Sequence, residues 1–386
     1  MVVKIVIGAN FGDEGKGLMT DYFCHQSALR GEKCLVVLHN GGAQRGHTVV
    51  TPDGNRHVFH HFGSGTFAGS DTYLSEDFIL NPMVFREEWE EIKKLCVTPK
   101  VIVSPNCLIT TPFDMILNQM KEEERSENRH GSCGLGIYET ATRQYCNFMV
   151  RTWRHDTEEQ NKHHVKWIRD NYFLKKIESV RTDIFEKWRN VIYSDSMIDK
   201  YVEDMRFMFS HISIIGFSKT RDLKKYGCLV FEGGQGLLLD QNNKEYFPNL
   251  TPSNTGLTNP MEIIHELGCF PDIEACYVTR TYLTRHGAGR LDGECDKAEI
   301  NPDMQDLTNV PNPHQGALRY AKLNEKSLEE RILKDFKQGK RYVAKISLAV
   351  THENEYADMF SDEFKEKFDC IYYSNGETRK SVRRLK

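Results

Sequence analysis

The stretch Val2-Val3-Lys4-Ile5-Val6-Ile7-Gly8-Ala9-Asn10-Phe11-Gly12-Asp13-Glu14-Gly15-Lys16-Gly17 decides how this chain is read. Its first six residues are β-branched but for Lys4, the pattern of a strand buried on both faces. A glycine-rich loop follows at once, and Leu18 to Ser27 reads as a helix. Cys34-Leu35-Val36-Val37-Leu38 is a second buried strand. Such a β-loop-α-β unit predicts a parallel sheet with a right-handed crossover.

The loop is built to face phosphate. Glycines let the backbone approach anionic oxygens, the following helix points free N–H groups at the same place, and Lys16 adds a point charge. It is not a Walker A loop, because position 17 is glycine where Ser or Thr is required, nor is it the dinucleotide fingerprint. Asp13 and Glu14 lie inside this anion site. Carboxylates there are costly unless a cation or a proton transfer uses them.

A second loop leaves the second strand: His39-Asn40-Gly41-Gly42-Ala43-Gln44-Arg45-Gly46-His47-Thr48. Gly46 would let a backbone carbonyl approach a metal or phosphate, and His47 could donate to a transferring phosphoryl group. A third glycine loop, Glu232-Gly233-Gly234-Gln235-Gly236, follows the strand Cys228-Leu229-Val230-Phe231, with Pro248 to Thr255 beyond it. Its amides and hydroxyls suit a neutral purine or a sugar phosphate, but taken alone this third loop reads first as ordinary surface turns.

Outward from these loops, helices are predicted at Asn81 to Leu95 and through His155 to Met208, where Trp167, Ile168, Phe173, Leu174, Ile177, Ile184, Trp188, Ile192 and Tyr193 form an apolar stripe read as core. Further strands are predicted at Val101–Val103, Ala275–Val278 and Val343–Leu348. His57 to Phe62 reads as a half-exposed strand whose histidines lack a nearby acid, and Glu122 to Arg129 as a charged mobile stretch. The expectation is one domain over residues 1–386, with a helical subdomain at about 155–210. The fold class is α/β, a mostly parallel central sheet flanked by helices.

Composition narrows the function classes. Hydrophobic residues make up 39% and charged residues 27% of 386 residues, ordinary for a globular chain with a sizeable core. The net charge of −4 carries no nucleic-acid footprint, and the basic tail Arg379 to Lys386 reads as a solvated terminus. No apolar run approaches the ~20 residues of a membrane helix, and Val2 to Ile7 is too short for a leader, so a cytoplasmic location is expected. The 11 cysteines include no C-x-x-C pair, which argues against a disulfide framework or a zinc site.

Taken in order, Gly12 to Gly17, Gly41 to Thr48, Phe231 to Gly236, Leu250 to Thr255 and Thr284-Arg285-His286-Gly287-Ala288-Gly289 resemble the motifs of the adenylosuccinate synthetase family. Those motifs run G-D-E-G-K-G, G-G-x-N-A-G-H-T, F-E-G-A-Q-G, V-T-S-S-N-T and T-R-V-G-x-G. The resemblance covers nearly the whole chain. It implies the family's P-loop-NTPase-like α/β fold, a homodimer and Mg²⁺ dependence. The implied reaction joins L-aspartate to C6 of a 6-oxopurine nucleotide after a nucleoside triphosphate phosphorylates O6.

Carried over by motif, the resemblance makes Asp13 the base at N1 and His47 the acid, with Asp13 and the Gly46 carbonyl as Mg²⁺ ligands. Gly12, Glu14, Gly15, Lys16, Gly17, Gly46 and Thr48 would bind the triphosphate. Asn10, Gln44, Ser132, Cys133, Arg143, Gln235 and Thr251 would hold the purine monophosphate, with Arg143 the arginine lent across the dimer. Gln315, Gly316 and Arg319 would bind aspartate, Arg319 also reaching the triphosphate. The donor base would meet Lys345 and Ser347, in the family's T-K-x-D stretch read here as Ala344 to Ser347, and the loop Asn375-Gly376.

The chain also departs from the family. Gln44-Arg45 replaces Asn-Ala, and Ala317 falls where the family has an arginine on the ribose 2′-hydroxyl and the aspartate, which is compatible with a deoxyribose. Ser347 for Asp would remove the carboxylate that reads guanine, making ATP or dATP the donor over GTP. These departures, with Thr308 to Gly316, resemble the phage branch that uses dGMP, the 2-aminoadenylosuccinate synthases. Retention of Asp13 cuts the other way and leaves room for IMP or GMP. A nucleotide-binding protein without catalysis is the alternative of another class, and retention of Asp13, Lys16 and His47 argues against it.

Overall fold

The computed structural model describes residues 1–151, 157–215, 223, 225–268, 272–304, 315–339, 342–356 and 360–386. The stretch Thr308 to Gly316 lies outside the described residues except for Gln315 and Gly316.

Among the described residues ten strands form the central sheet: β1 (Val2–Gly8), β2 (Cys34–Leu38), β3 (Asp71–Leu74), β4 (Val101–Val103), β5 (Ile212–Ile214), β6 (Cys228–Gly236), β7 (Asp272–Arg280), β8 (Lys345–Thr351), β9 (Cys370–Ser374) and β10 (Val382–Arg384). Their order is β10-β9-β8-β7-β1-β6-β2-β3-β4-β5. Only the β9–β10 pairing is antiparallel; the others run parallel. The first two strands are not neighbours. Phe231 of β6 stands between Ile5 and Val37 in register.

Side chains alternate across the sheet. Val3, Ile5, Ile7, Leu35 and Val37 enter one core, while Val6, Val36 and Leu38 enter the other. Helices cover both faces, which is why these strands read as continuous apolar runs. The parallel strands bring the ends of β1, β2, β6, β7, β8 and β9 to one carboxyl edge, where ligand sites of open α/β sheets form.

Helix α1 (Lys16–Leu29) starts two residues before the expected point. Its N-cap is Gly15 in a left-handed conformation (φ 90°), with no side-chain cap on the first turn. The helix Pro82–Lys94 is capped by Asn81, whose side chain accepts from the amides of Met83 and Val84.

Several expectations need correction. Glu122 to Arg125 is the last turn of the helix Pro112–Arg125, and the buried Glu122 carboxylate accepts the Gly131 amide at 2.8 Å. The loop expected at Glu232 to Gly236 is the end of β6. The strand Arg56–Phe59 pairs with His47–Val50, and His57 and His61 are buried. The acid missing from their sequence surroundings is Glu88, which folds back from the helix. It accepts the amides of His60 and His61 and lies 3.3 Å from His61 Nδ1.

In the stretch expected to be helical, Glu158–Ile168, Thr182–Ile192 and Asp195–His211 are helices. Ile168, Phe173, Ile177, Ile184 and Ile192 enter the same core as Phe113 and Val103. Trp167 and Tyr193, read as core, are instead 38% and 47% exposed. Among the described residues no helix is long and apolar enough to cross a membrane.

Candidate functional site

The glycine loop closes on its own acid. Glu14 is buried, and its Oε1 accepts the amides of Asn10 and Gly12 at 3.0 and 2.8 Å. Its Oε2 lies 2.7 Å from Lys16 Nζ, with both side chains 2% exposed. The Lys16 charge is therefore balanced within the loop, and Glu14 is a loop organiser. Asn10, expected on the purine, is also committed: Nδ2 donates to Thr279 Oγ1 at 2.9 Å and Oδ1 accepts from Arg331 at 2.5 Å.

Asp13 adopts a left-handed backbone (φ 60°), uncommon for a residue with a Cβ. Its carboxylate lies 3.3 Å from His286 Nε2 and is about a quarter exposed. Burial alone would raise this carboxyl, but the hydrogen bond and charge of His286, with Arg280 and Lys16, hold it down at about 2. Asp13 is thus an ionised carboxylate, fit to accept a proton or meet a cation.

His47 is carried beside the loop on the strand that leaves Gly46. A Cβ on Gly17 would sit 3.2 Å from His47 Cβ, so glycine there permits the approach. Nδ1 lies 2.6 Å from Glu232 Oε1, and Nε2 is 3.3 Å from the Gly234 carbonyl. Glu232 also accepts from the Ser64 amide and hydroxyl and lies 3.0 Å from Arg45 Nη2. Burial, with the charge of Arg45, lowers His47 to about 4 against the pull of Glu232. Burial opposes ionisation of Glu232 too, yet Arg45, His47 and Ser64 hold it at about 2.

Gln44 and Gln235 converge at Gly41, whose absent Cβ would meet the Gln235 Oε1 at 2.9 Å and the Gln44 Nε2 at 3.3 Å. The Oε1 atoms of both amides and Thr48 Oγ1 are buried without a protein partner among the described residues. These are unspent acceptors gathered beside the glycine loops. Gly46 is exposed.

Ser132 and Cys133 lie on a loop braced against Gly287 and Ala288 by the Ala288 amide on the His130 carbonyl. Ser132 Oγ donates to Asn118 at 3.0 Å. Burial pushes the Cys133 thiol up to about 11, so it is neutral. The buried Thr251 is tied by its amide to the Leu239 carbonyl.

Three placements differ from what the motifs suggested. Arg143 is 1% exposed and fully committed within its own subunit, to Asp114 at 2.8 Å and to the carbonyls of Ile109 and Phe148. Nothing of its guanidinium is left to reach a partner subunit. Ser347 is buried inside β8, donating to Glu274 Oε1 at 2.5 Å, and Lys345 stands at the opposite edge of the sheet, 3.6 Å from Asp272. Neither can face a ligand at the carboxyl edge, because a parallel strand presents its C-terminal end there.

That end of β8 is Thr351, followed by His352, Glu353 and Asn354. Thr351 Oγ1 donates to the Glu14 carbonyl at 2.7 Å, and the Glu353 amide to the Ser374 carbonyl, one residue before Asn375-Gly376. Arg319 pairs with Glu294 and donates to the carbonyls of Gly287 (3.2 Å) and Gly289 (2.8 Å), while Gln315 and the exposed Gly316 precede it.

The motifs missed Glu232 as the partner of His47, the brace on Asp13 from Arg280 and His286, and Thr351 to Asn354. The histidine at position 286, where the family motif has valine, was the one available signal.

The model of the family described as adenylosuccinate synthetase matches residues 5–310. The Microcystis aeruginosa adenylosuccinate synthetase is 27% identical over 305 residues, 77% of this chain and 64% of that protein. The Lactobacillus acidophilus enzyme is 28% identical over 294 residues, 75% and 64% of the two chains. The chain thus spans just under two thirds of the length of these relatives. Two solved structures share the fold. Fully ligated adenylosuccinate synthetase from Plasmodium falciparum has a TM-score of 0.72 at 17% identity, covering all of both chains. Cyanophage S-2L succinoaminodeoxyadenylate synthetase, bound to dGMP and dATP, has 0.64 at 14%, covering 99% and 95%. By the match of the family model over most of its length, the chain belongs to the adenylosuccinate synthetase family.

Proposed function

We propose that this chain is a ligase that joins L-aspartate to C6 of a purine nucleoside monophosphate through a 6-phosphoryl intermediate. The observation that carries the reading is the placement, beside one glycine loop, of an Asp13 carboxylate braced by His286 and a His47 backed by Glu232. Asp13 takes the N1 proton, which makes O6 the nucleophile toward the γ-phosphoryl group. The amine of aspartate then displaces phosphate at C6. Glu232 holds the Nδ1 proton of His47. A polyphosphate beside Arg45, Lys16 and His47 offsets their mutual repulsion and favours a second proton on Nε2, aimed at the transferring group.

Glycines 12, 15 and 17, with Lys16 and Thr48, would hold the triphosphate. Gln315, Gly316 and Arg319 remain the proposed aspartate contacts. The oxygen donors Asp13 and Gly46 fit Mg²⁺, a hard cation that takes one or two protein oxygens plus phosphates. Bound there, it would neutralise charge on the phosphates. Among the described residues no cluster of three His, Cys, Asp or Glu side chains could hold a metal.

For the acceptor we favour dGMP over IMP. Ala317 leaves out the arginine expected on a ribose 2′-hydroxyl, and the unspent oxygens of Gln44 and Gln235 suit N–H donors of a 2-amino purine. For the donor, the carboxyl edge supports moving the base pocket from Ala344–Ser347 to Thr351–Asn354, facing Asn375-Gly376. Asn354 there supplies an amide in place of a carboxylate, which supports ATP or dATP. The ordinary IMP-and-GTP reaction is the second reading, favoured by the retained Asp13.

The test is turnover with aspartate, Mg²⁺ and ATP, dATP or GTP, against dGMP or IMP, following absorbance and phosphate release. Product from dGMP with ATP or dATP is expected. No product with any pair sinks the ligase reading. Product from IMP with GTP alone sinks the dGMP assignment.

A further inference from the structure

Asp13 is held at two points, and Gly12 before it at a third, by one segment of chain more than two hundred and fifty residues away. Arg280 Nε donates to the Asp13 carbonyl at 2.6 Å, and the same guanidinium donates from Nη1 to Tyr282 at 2.6 Å. Thr284 Oγ1 donates to the Gly12 carbonyl at 3.4 Å. His286 Nε2 lies 3.3 Å from Asp13 Oδ2. Two residues that need a positive φ, Gly12 (135°) and Asp13 (60°), sit under this segment.

A left-handed aspartate persists only where its surroundings over-determine it. The backbone contacts fix the peptide but leave the side-chain torsions free. Of these contacts only His286 fixes the carboxylate itself.

The segment is braced in turn. Arg319 donates to the carbonyls of Gly287 and Gly289, and Gly131 packs against Gly287 so closely that a Cβ on Gly131 would lie 2.5 Å from the Gly287 Cα. The imidazole therefore stands on a turn fixed from two sides. Arg319, at the end of the stretch proposed to bind aspartate, is linked through that turn to the carboxylate that handles the proton.

We propose that His286 is a positioning residue for the reaction: its imidazole N–H locks one oxygen of Asp13 and leaves the other aimed at the purine. The inference rests on the ligase reading for its kinetic arm alone. The geometry requires an N–H donor at the reach of Nε2. Glutamine supplies one at nearly the same distance from the backbone, and valine, the residue of the family motif, supplies none.

The experiment compares wild type, His286→Val and His286→Gln as full-length chains. Steady-state kinetics are run on each, with hydrogen–deuterium exchange across residues 8–17. Loss of aim at a reacting carboxylate lowers kcat roughly tenfold to a hundredfold and leaves nucleotide KM nearly unchanged. His286→Val should show that loss and faster loop exchange, and His286→Gln should recover most of both. A His286→Val enzyme with wild-type kcat and exchange overturns the proposal. So does a His286→Gln enzyme as impaired as His286→Val, since packing and not the donor would then matter. If the wild-type chain has no ligase activity, the functional reading fails. The exchange comparison still decides whether His286 holds the loop.

Discussion

Glu232 Oε1 lies 2.6 Å from His47 Nδ1, although 185 positions separate the two residues in the chain. The contact joins β6 to the start of the strand His47–Val50, which follows the loop after β2, the neighbour of β6 in the sheet. It fixes which ring nitrogen of His47 faces the proposed phosphoryl site. Glu232→Gln should lower kcat roughly 10²–10⁴-fold, because an amide can turn its N–H toward the ring and reverse the tautomer. Nucleotide KM should stay close to wild type. Kinetics on a variant with an unchanged circular dichroism spectrum provide the check, and a kcat like that of wild type would remove Glu232 from this role.

Asp13→Asn should abolish turnover while nucleotide binding survives, since the amide neither accepts the N1 proton nor carries charge for a cation. Titration calorimetry should give a nucleotide Kd within about tenfold of wild type, or about 1.4 kcal/mol. Undiminished turnover would exclude Asp13 as the base.

The strand placement of Ser347 separates two substitutions that look alike in sequence. Ser347→Asp would add a second carboxylate beside the buried Glu274 and should destabilise the fold by roughly 3 kcal/mol or more, with no gain for GTP. Asn354→Asp, at the carboxyl edge, should raise the ratio of kcat/KM for GTP over ATP by about tenfold or more. A GTP shift from Ser347→Asp and none from Asn354→Asp would reverse the assignment.

Asp335 offers a stability test away from the chemistry. It is buried, accepting from the Tyr277 hydroxyl at 2.8 Å and the Leu257 amide at 3.1 Å. Burial raises its carboxyl to about 6, above its ordinary 3.8. A carboxyl raised in the fold stabilises most when protonated, so its contribution is present below about pH 4 and lost as pH rises through 6. The difference is worth about 3 kcal/mol. Asp335→Asn should therefore gain on wild type at pH 8 and lose that advantage at pH 4. Denaturant melts at both values check it, and parallel curves would refute it.

Much of the fold was legible in the sequence because it rests on local pattern. A strand buried on both faces must be apolar throughout, and a phosphate-facing turn needs glycines at positive φ, so Val2 to Gly17 announces itself. The same logic located β2, β4 and the core of β6 and β7. It failed at Glu122, where charge was mistaken for exposure, and it did not bring Glu88 to the histidines; both are buried because they accept backbone amides from segments folded against them.

By itself, the sequence determined the strands β1, β2, β4, β6, β7 and β8, the glycine loop and the residue types gathered around it; the short strands β3, β5, β9 and β10 were not legible in it. Tertiary structure alone decided which of them meet. Strand order put Glu232 behind His47, and the end of β7 with the segment after it brought Arg280 and His286 to Asp13. Strand direction moved Ser347 into the core and Asn354 to the edge. Spacing along a chain reports which face a side chain takes. It does not report the depth of a residue along a parallel strand or the neighbours chosen by a crossover, because those follow from burying both faces of one sheet.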